Sequence, residues 1–266
     1  KIALLQVNPV VGDIKGNADL ISKLSNIASQ AGASFAVTTE LAISGYPPRD
    51  LLLQSDFVSE CHNVASNLQT EIPVLVGTPV PPISNRSLPG NGVVRAGDSV
   101  REVTRKQLLP TYDVFDEARY FEADERPGIA RTIAGLDIGV TICEDAWQHC
   151  GATPNDYDSD PIAQIVEWGR QGVILDATVN LSASPYHANK SNARIAVARS
   201  AAHSLNHPFL LANQVGGNDD LLFDGRSIIA WPDGTVVVGP AWSEGVLLTD
   251  LSSPELCTWI GEGEIS

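Results

Sequence analysis

Apolar positions along the chain fall into short runs that alternate with stretches of helical period. Residues 2–7 form an apolar run of strand length. Leu20, Ile21, Leu24, Ile27 and Ala31 then recur at helical spacing, which predicts a helix opened by Asn17 or Asp19 and closed by Gly32. Residues 34–39 read as a second strand ending at Glu40. A turn-rich segment, residues 44–50, leads into a helix carrying Phe57, Val58, Cys61, Val64 and Leu68, and residues 73–77 read as the next strand. Strand, helix, strand, helix, strand is the order of a layered α/β sheet.

The middle changes character. Residues 79–91 are rich in Pro, Ser and Asn and read as a loop. Residues 92–96 and 100–104 flank Gly97-Asp98 as a hairpin, with Lys106 at the end of its second strand. Residues 107–135 show no clear period, and a long irregular segment inside a domain is usually functional or disordered. Tyr112, Phe115, Tyr120 and Phe121 favour the functional reading. Leu136, Ile138, Val140 and Ile142 then alternate at period two, a strand with one face buried, and the alternation stops at Cys143-Glu-Asp145.

Beyond it, Asp160-Pro161 starts a helix through Ile162, Ile165, Val166 and Trp168 that Gly172 ends. Residues 173–179 read as a buried strand, 180–187 as a loop, 190–206 as a helix and 209–213 as a strand. Residues 221–248 read as antiparallel strands turned at Pro232-Asp-Gly234 and Gly239-Pro240. No internal repeat, heptad pattern or interior linker interrupts the chain, so residues 1–266 are expected to form a single domain.

Composition narrows the partners. A formal charge of -15 without clustered Lys and Arg argues against nucleic acid and anionic membrane surfaces. No apolar run reaches spanning length, and no basic segment followed by an apolar one marks a secretory leader. The four cysteines (Cys61, Cys143, Cys150, Cys257) are scattered without a Cys-x-x-Cys pair. That excludes a zinc ribbon or disulfide framework and suits a reducing cytoplasm, which is the expected location.

Glu40, Lys106, Cys143 and Asn180 all fall at carboxyl ends of predicted strands, where ligands of α/β sheets collect. A thiol, a carboxylate and an ammonium together are the parts for nucleophilic acyl transfer. At the end of a strand, entering a turn, a thiol meets exposed backbone N–H groups, as at a nucleophile elbow. Each residue has a plainer reading. Cys143 alone reads equally as a small buried hydrophobe, Glu40 as a cap and Lys106 as a solvated strand end.

Three separated motifs add to this: Glu40-Leu-Ala-Ile-Ser-Gly-Tyr-Pro-Pro-Arg-Asp-Leu-Leu52, Arg105-Lys-Gln-Leu-Leu-Pro-Thr-Tyr-Asp-Val-Phe-Asp-Glu-Ala-Arg-Tyr-Phe121 and Ile142-Cys-Glu-Asp-Ala-Trp147. In this order they resemble the nitrilase, or carbon–nitrogen hydrolase, superfamily. The tyrosine–proline–proline run, the Val114-to-Phe121 string and Asn213-Gln-Val-Gly-Gly-Asn-Asp219 resemble the branch formed by glutaminase domains of glutamine-dependent NAD synthetases. The resemblance implies a four-layer α-β-β-α sandwich and hydrolysis of the glutamine amide. Cys143 would be the nucleophile, Glu40 the general base and Lys106 the oxyanion stabiliser, with Glu117 fixing the lysine. Tyr112, Ser184 and Lys190 match positions that hold the amino-acid end of glutamine or shape the pocket, and Tyr46, Glu144 and Trp147 match other pocket positions. Lys190 also reads as an exposed first-turn lysine, and Ser184 before Pro185 as turn chemistry.

Two departures stand out. Thr39 replaces the proline that usually precedes the family glutamate. The Ser-Gly-Gly-x-Asp-Ser pyrophosphate loop of the synthetase half does not occur, and Gly216-Gly217 reads as a tight turn. The expectation is therefore a glutaminase domain with no cofactor of its own. ATP and Mg would belong to a synthetase domain absent from this chain, which in a full-length enzyme would be its partner and receive the ammonia for NAD synthesis. Association into a homo-oligomer is implied as well. The rivals are a stand-alone amidase of the same fold acting on another small amide, and a catalytically silent interaction module.

Overall fold

In the first strand, β1 (Ile2–Gln6), successive side chains go to different layers. Ile2 and Leu4 enter one apolar cluster, and Ala3 and Leu5 enter another. Every residue of the strand is buried, so the period-two rule separates two cores here rather than core from solvent. The computed structural model describes residues 1–84, 87–98, 101–154 and 156–266. Its first half runs β1, α1 (Ile14–Gln30), β2 (Phe35–Val37), α2 (Ser55–Ser66), β3 (Val74–Val80), β4 (Gly90–Ala96) and β5 (Arg101–Arg105). The second half runs β6 (Gly128–Ile133), β7 (Leu136–Ile142), α3 (Pro161–Arg170), β8 (Ala177–Ser182), α4 (Lys190–Leu205) and β9 (Phe209–Asn213). It continues through β10 (Val215–Asn218), β11 (Leu221–Asp224), β12 (Ile228–Ala230), β13 (Val236–Val238), β14 (Gly245–Asp250) and β15 (Ser253–Gly261).

A seven-stranded sheet, β15-β14-β1-β2-β3-β4-β5, faces a six-stranded sheet, β13-β12-β9-β8-β7-β6. Ile2, Leu4, Phe35 and Val37 of the first meet Ile138, Val140, Ile142 and Leu181 of the second in the core between them. Helices α1 and α2 cover the outer face of the first sheet through Ile21, Leu24, Cys61 and Ala65. Helices α3 and α4 cover the second through Ile162, Ile165, Val197 and Ala201. The layers are α-β-β-α, the sandwich that the family motifs imply. Strands β1, β2 and β3 run parallel, as do β7, β8 and β9, so each sheet has a parallel centre whose carboxyl ends lie together.

Several element boundaries depart from the reading of the sequence, each for a local reason. Helix α1 starts at Ile14 because the Asp13 carboxylate accepts the Gly16 N–H at 2.9 Å, ahead of both expected caps. Asn17 lies inside the helix and is buried, tying Val10 to Ile43. The segment 79–91 is not all loop, because Val80 pairs with Gly90 at the end of the β3–β4 ladder. A Cβ at Gly90 would come within 2.9 Å of the Val80 side chain, so glycine permits that approach. Of the expected hairpin strand 100–104, Val100 lies outside the described residues.

The aperiodic segment 107–135 ends in β6, which pairs with β7 across a bulge that hides its alternation. Strand β7 is buried on both faces from Ile138 onward, not on one. The strand expected at 173–179 begins only at Ala177 and runs on to Ser182, with Ile174 82% exposed. Gly216 and Gly217 sit in β10, paired with β11, rather than in a tight turn. The last strand, β15, lies beyond the expected 221–248 region and pairs with β14. His149, in a short 3-10 turn, reaches the α3 cap Asp160 and α4 Ser204, both at 2.8 Å, and so joins the two outer helices.

Leu4 is fully buried between the sheets. Leu4→Ala is expected to lower unfolding free energy by about 2–5 kcal/mol, as measured by urea denaturation.

Candidate active site

Four strand ends deliver the polar side chains. Glu40 follows β2 in a turn where Leu41 takes a left-handed φ of 47°. The turn lies so close to β3 that a Cβ at Gly77 would sit 2.3 Å from the Thr39 carbonyl oxygen. Glu40 is fully buried. Its Oε1 accepts from Lys106 Nζ at 2.7 Å and Asn91 Nδ2 at 2.8 Å, and its Oε2 accepts from the Ala183 N–H at 3.0 Å.

Lys106, at the end of β5, is also fully buried and donates to both oxygens of Glu117, at 2.9 and 2.8 Å. Glu117 lies in a 3-10 turn within the aperiodic segment and accepts from the Tyr46 hydroxyl at 2.8 Å. Burial opposes the charge on Lys106, but Glu117 and Glu40 outweigh it and hold the ammonium well above its ordinary range. Burial pushes Glu117 up to about 7 against the pull of Lys106, and Glu40 adds to the rise. One ammonium shared by two carboxylates leaves an excess of negative charge in a buried site.

Cys143 opens the 3-10 turn Cys143–Ala146 directly after β7. Its φ of 43° is uncommon for a residue with a side chain, and it turns the chain sharply off the strand as an elbow. The thiol is 6% exposed and accepts from Ser182 Oγ at 3.5 Å, while Asn180 Nδ2 donates to the Cys143 carbonyl at 3.3 Å. Burial raises the thiol above its usual range and Glu40 raises it further, with Lys106 acting the other way. The resting group is therefore a thiol, and attack requires a base. Asp145 is buried in the same turn. Its Oδ1 accepts from the Gln107 and Leu108 N–H groups at 3.1 and 2.9 Å, and its Oδ2 from the Ile142 N–H at 3.0 Å.

Of the remaining expected residues, Tyr112, Glu144, Trp147 and Lys190 form a second group beside the first. The Tyr112 hydroxyl donates to Glu144 Oε1 at 2.6 Å, and Tyr157 donates to the same oxygen at 3.3 Å. Lys190 Nζ stands 3.9 Å from the centre of the Trp147 ring, a cation–π contact. Burial lowers the Lys190 pKa, and Cys143 and Glu144 act against that fall. It is a half-buried lysine facing the site rather than an exposed first-turn one. Ser184 is buried, and its N–H donates to Asn213 Oδ1 at 3.0 Å.

Tyr46 stands apart from this second group, with its hydroxyl on Glu117. A cavity of about 260 Å³ opens there, lined by Tyr46, Leu52, Phe115, Glu117, Tyr120 and Phe121; it borders the carboxylate side of the cluster, not the thiol. Asn91, Asp145, Tyr157 and Ser182 belong to the site but were not singled out from sequence. Asp145 carried a signal, since it stands two residues after Cys143. Asn91 lay in the segment read as loop and carried none.

A carbon-nitrogen hydrolase family model matches residues 1–260. The chain belongs to the carbon–nitrogen hydrolase family. It is an enzyme domain of that type, and its fold is the nitrilase sandwich. The chain is similar to the glutamine-dependent NAD(+) synthetase of Synechocystis sp., at 38% identity over 96% of this chain and 47% of the relative. It is 34% identical to that of Aquifex aeolicus, over 96% of this chain and 42% of the relative. The chain spans about half the length of these curated relatives.

Among solved structures, the glutamine-dependent NAD+ synthetase of Acinetobacter baumannii in complex with ADP superposes with a TM-score of 0.78 at 28% identity, covering 92% of this chain and 44% of that one. An amidase from Nesterenkonia sp. shares the fold with a TM-score of 0.71 at 19% identity, over 92% of this chain and 87% of that one. Among the described residues no helix is long and apolar enough to cross a membrane.

The raised Glu117 carboxyl has a consequence for stability. An acid whose pKa rises on folding, here from 4.5 to about 7, takes up protons as the chain folds. Its contribution is fully present below pH 4.5 and is lost as pH rises through about 7. Glu117→Gln cannot ionise, so it is expected to lose less stability than the parent between pH 4.5 and 7.5. Urea midpoints across that range check this, and parallel curves would contradict it.

Proposed function

We propose that this domain hydrolyses the side-chain amide of L-glutamine, with Cys143 as nucleophile, Glu40 as general base and Lys106 as oxyanion stabiliser. The observation that carries the reading is the contact of one buried ammonium with two buried carboxylates, 2.7 to 2.9 Å apart, in the same cluster as the buried Cys143 thiol. Each buried ion carries a desolvation penalty of several kcal/mol, which these close contacts offset. The similarity to glutamine-dependent NAD synthetases supports glutamine as the amide.

In this mechanism Glu40 takes the thiol proton as Cys143 attacks the amide carbon. Neutralising Glu40 weakens its hold on Lys106, whose charge then turns to the developing oxyanion while Glu117 keeps the ammonium in place. The protonated Glu40 gives its proton to the departing ammonia. A glutamyl thioester remains. Glu40 then activates a water that cleaves it to glutamate and restores the thiol.

Glu144, oriented by Tyr112, receives the α-ammonium of glutamine, and Lys190, braced on Trp147, receives the α-carboxylate. Ser184 shapes the same pocket, and Tyr46 acts from the other side of the cluster by holding Glu117. The domain needs no cofactor for this chemistry. In a longer protein of the relatives' kind, ammonia would pass to a synthetase domain that uses ATP and Mg to form NAD. A cytoplasmic homo-oligomer is the assembly that fits this reading.

Cys143→Ala is expected to abolish ammonia release from L-glutamine while the chain keeps its melting profile; near-normal turnover in that variant would sink the nucleophile assignment. Lys190→Met removes one charge-assisted contact and is expected to raise KM for glutamine by about 10- to 100-fold with a smaller change in kcat. Turnover of simple aliphatic amides at the same kcat/KM as glutamine would favour the stand-alone amidase reading instead.

A further inference from the structure

The reaction above needs the oxyanion donor at a set distance from the carbon that the thiol attacks, and the two groups come from different sheets. Lys106 follows β5 in the seven-stranded sheet, and Cys143 follows β7 in the six-stranded one. On the β5 side, the Lys106 N–H donates to the Asn91 carbonyl at 2.8 Å, which continues the β4–β5 pairing up to the lysine. Past the lysine, the next two N–H groups, of Gln107 and Leu108, turn across to Oδ1 of Asp145. The other oxygen of that carboxylate takes the N–H of Ile142, the residue before Cys143. The left-handed φ of Cys143 folds the turn back so that a side chain two residues later can reach it. Asp145 is 2% exposed, and its bonds span the boundary between the sheets at the point where the two reacting groups leave them.

We infer that Asp145 is a positioning residue that sets the distance between the Cys143 thiol and the Lys106 ammonium through these backbone N–H groups. This rests on the roles assigned to Cys143 and Lys106 above. Asp145 touches neither substrate nor the reacting atoms; it acts on where they are held. Asparagine at this position keeps one acceptor for Gln107 and Leu108 but turns an amide N–H₂ toward the Ile142 N–H. The contact on the Cys143 side is then repulsive, and the spacing is released.

The test compares the parent chain with Asp145→Asn and Asp145→Glu, the latter keeping the charge while adding a methylene. Ammonia release from L-glutamine gives kcat and KM. Alkylation of Cys143 by iodoacetamide, followed on its peptide by mass spectrometry, gives thiol reactivity in a displacement that forms no oxyanion. Because a displacement of about 1 Å costs up to about 100-fold in rate, both variants are expected to lose about 10- to 100-fold in kcat. KM and the alkylation rate should stay within about threefold of the parent, with a cooperative melt. That split separates a changed thiol–ammonium distance from a general loss of structure. Parental kcat in either folded variant overturns the role, as does alkylation that falls in step with kcat. Failure of both variants to fold assigns Asp145 to the fold alone and also overturns it. A parent that releases no ammonia overturns the glutaminase reading and this role with it, whereas an active parent matched by Asp145→Asn overturns this role alone.

Discussion

A lysine with no exposed surface, held between two buried carboxylates, is the constraint around which this site is built. Removing three ionisable groups from water is unfavourable unless each finds close partners, and none of the three is adjacent to another in sequence. Glu40 comes from the end of β2, Lys106 from the end of β5, and Glu117 from an aperiodic segment that must fold back over both. Asn91, Ala183 and Tyr46 supply the remaining donors. The network therefore depends on the register of β4, the exit of β8 and the turn after β2 together.

The same electrostatics set the state of the thiol. Burial and the Glu40 carboxylate favour neutral Cys143, while Lys106 favours the thiolate without prevailing. A neutral thiol next to a carboxylate is stable at rest and attacks only when the proton has somewhere to go. The elbow conformation serves this by aiming the side chain off the strand end, where Ser182 of the neighbouring parallel strand donates to the thiol and Asn180 to the Cys143 carbonyl. Parallel strands at the centre of each sheet matter for this reason: they bring successive carboxyl ends to one side of the molecule.

Much of this was legible in the chain. Period-two runs and helical spacings identified strands and helices, because those periods follow from local geometry and from burial against a flat or cylindrical surface. Glu40, Lys106 and Cys143 stood out because each closed an apolar run, and their strand-end positions are where the structure brings them together. Boundaries were less legible. Val80 and Gly90 join a ladder whose partner is distant in sequence, and the bulge in β6 erases the alternation that would have revealed a strand. The cap at Asp13 is not distinguishable by residue type from Asn17 or Asp19, which carry the same chemistry.

The amino-acid sequence by itself determined the α/β class, the strand–helix alternation at the centre of each half and the three motif residues, since each depends on local spacing and residue type. The tertiary structure alone decided which polar groups are paired. That Asn91 serves Glu40 depends on the strand order of one sheet. That Tyr112 and Tyr157 share Glu144 depends on how the segments outside the strands fold over the site. That Asp145 links the segment after Lys106 to the residue before Cys143 depends on the two sheets meeting. The Asn91–Glu40, Tyr112–Glu144 and Leu108–Asp145 contacts join residues far apart along the chain, so no local pattern encodes them. The physical reason is the cost of burying a polar group unpaired: each must find a donor or acceptor within about 3 Å, and only the packed sandwich fixes which ones are in reach.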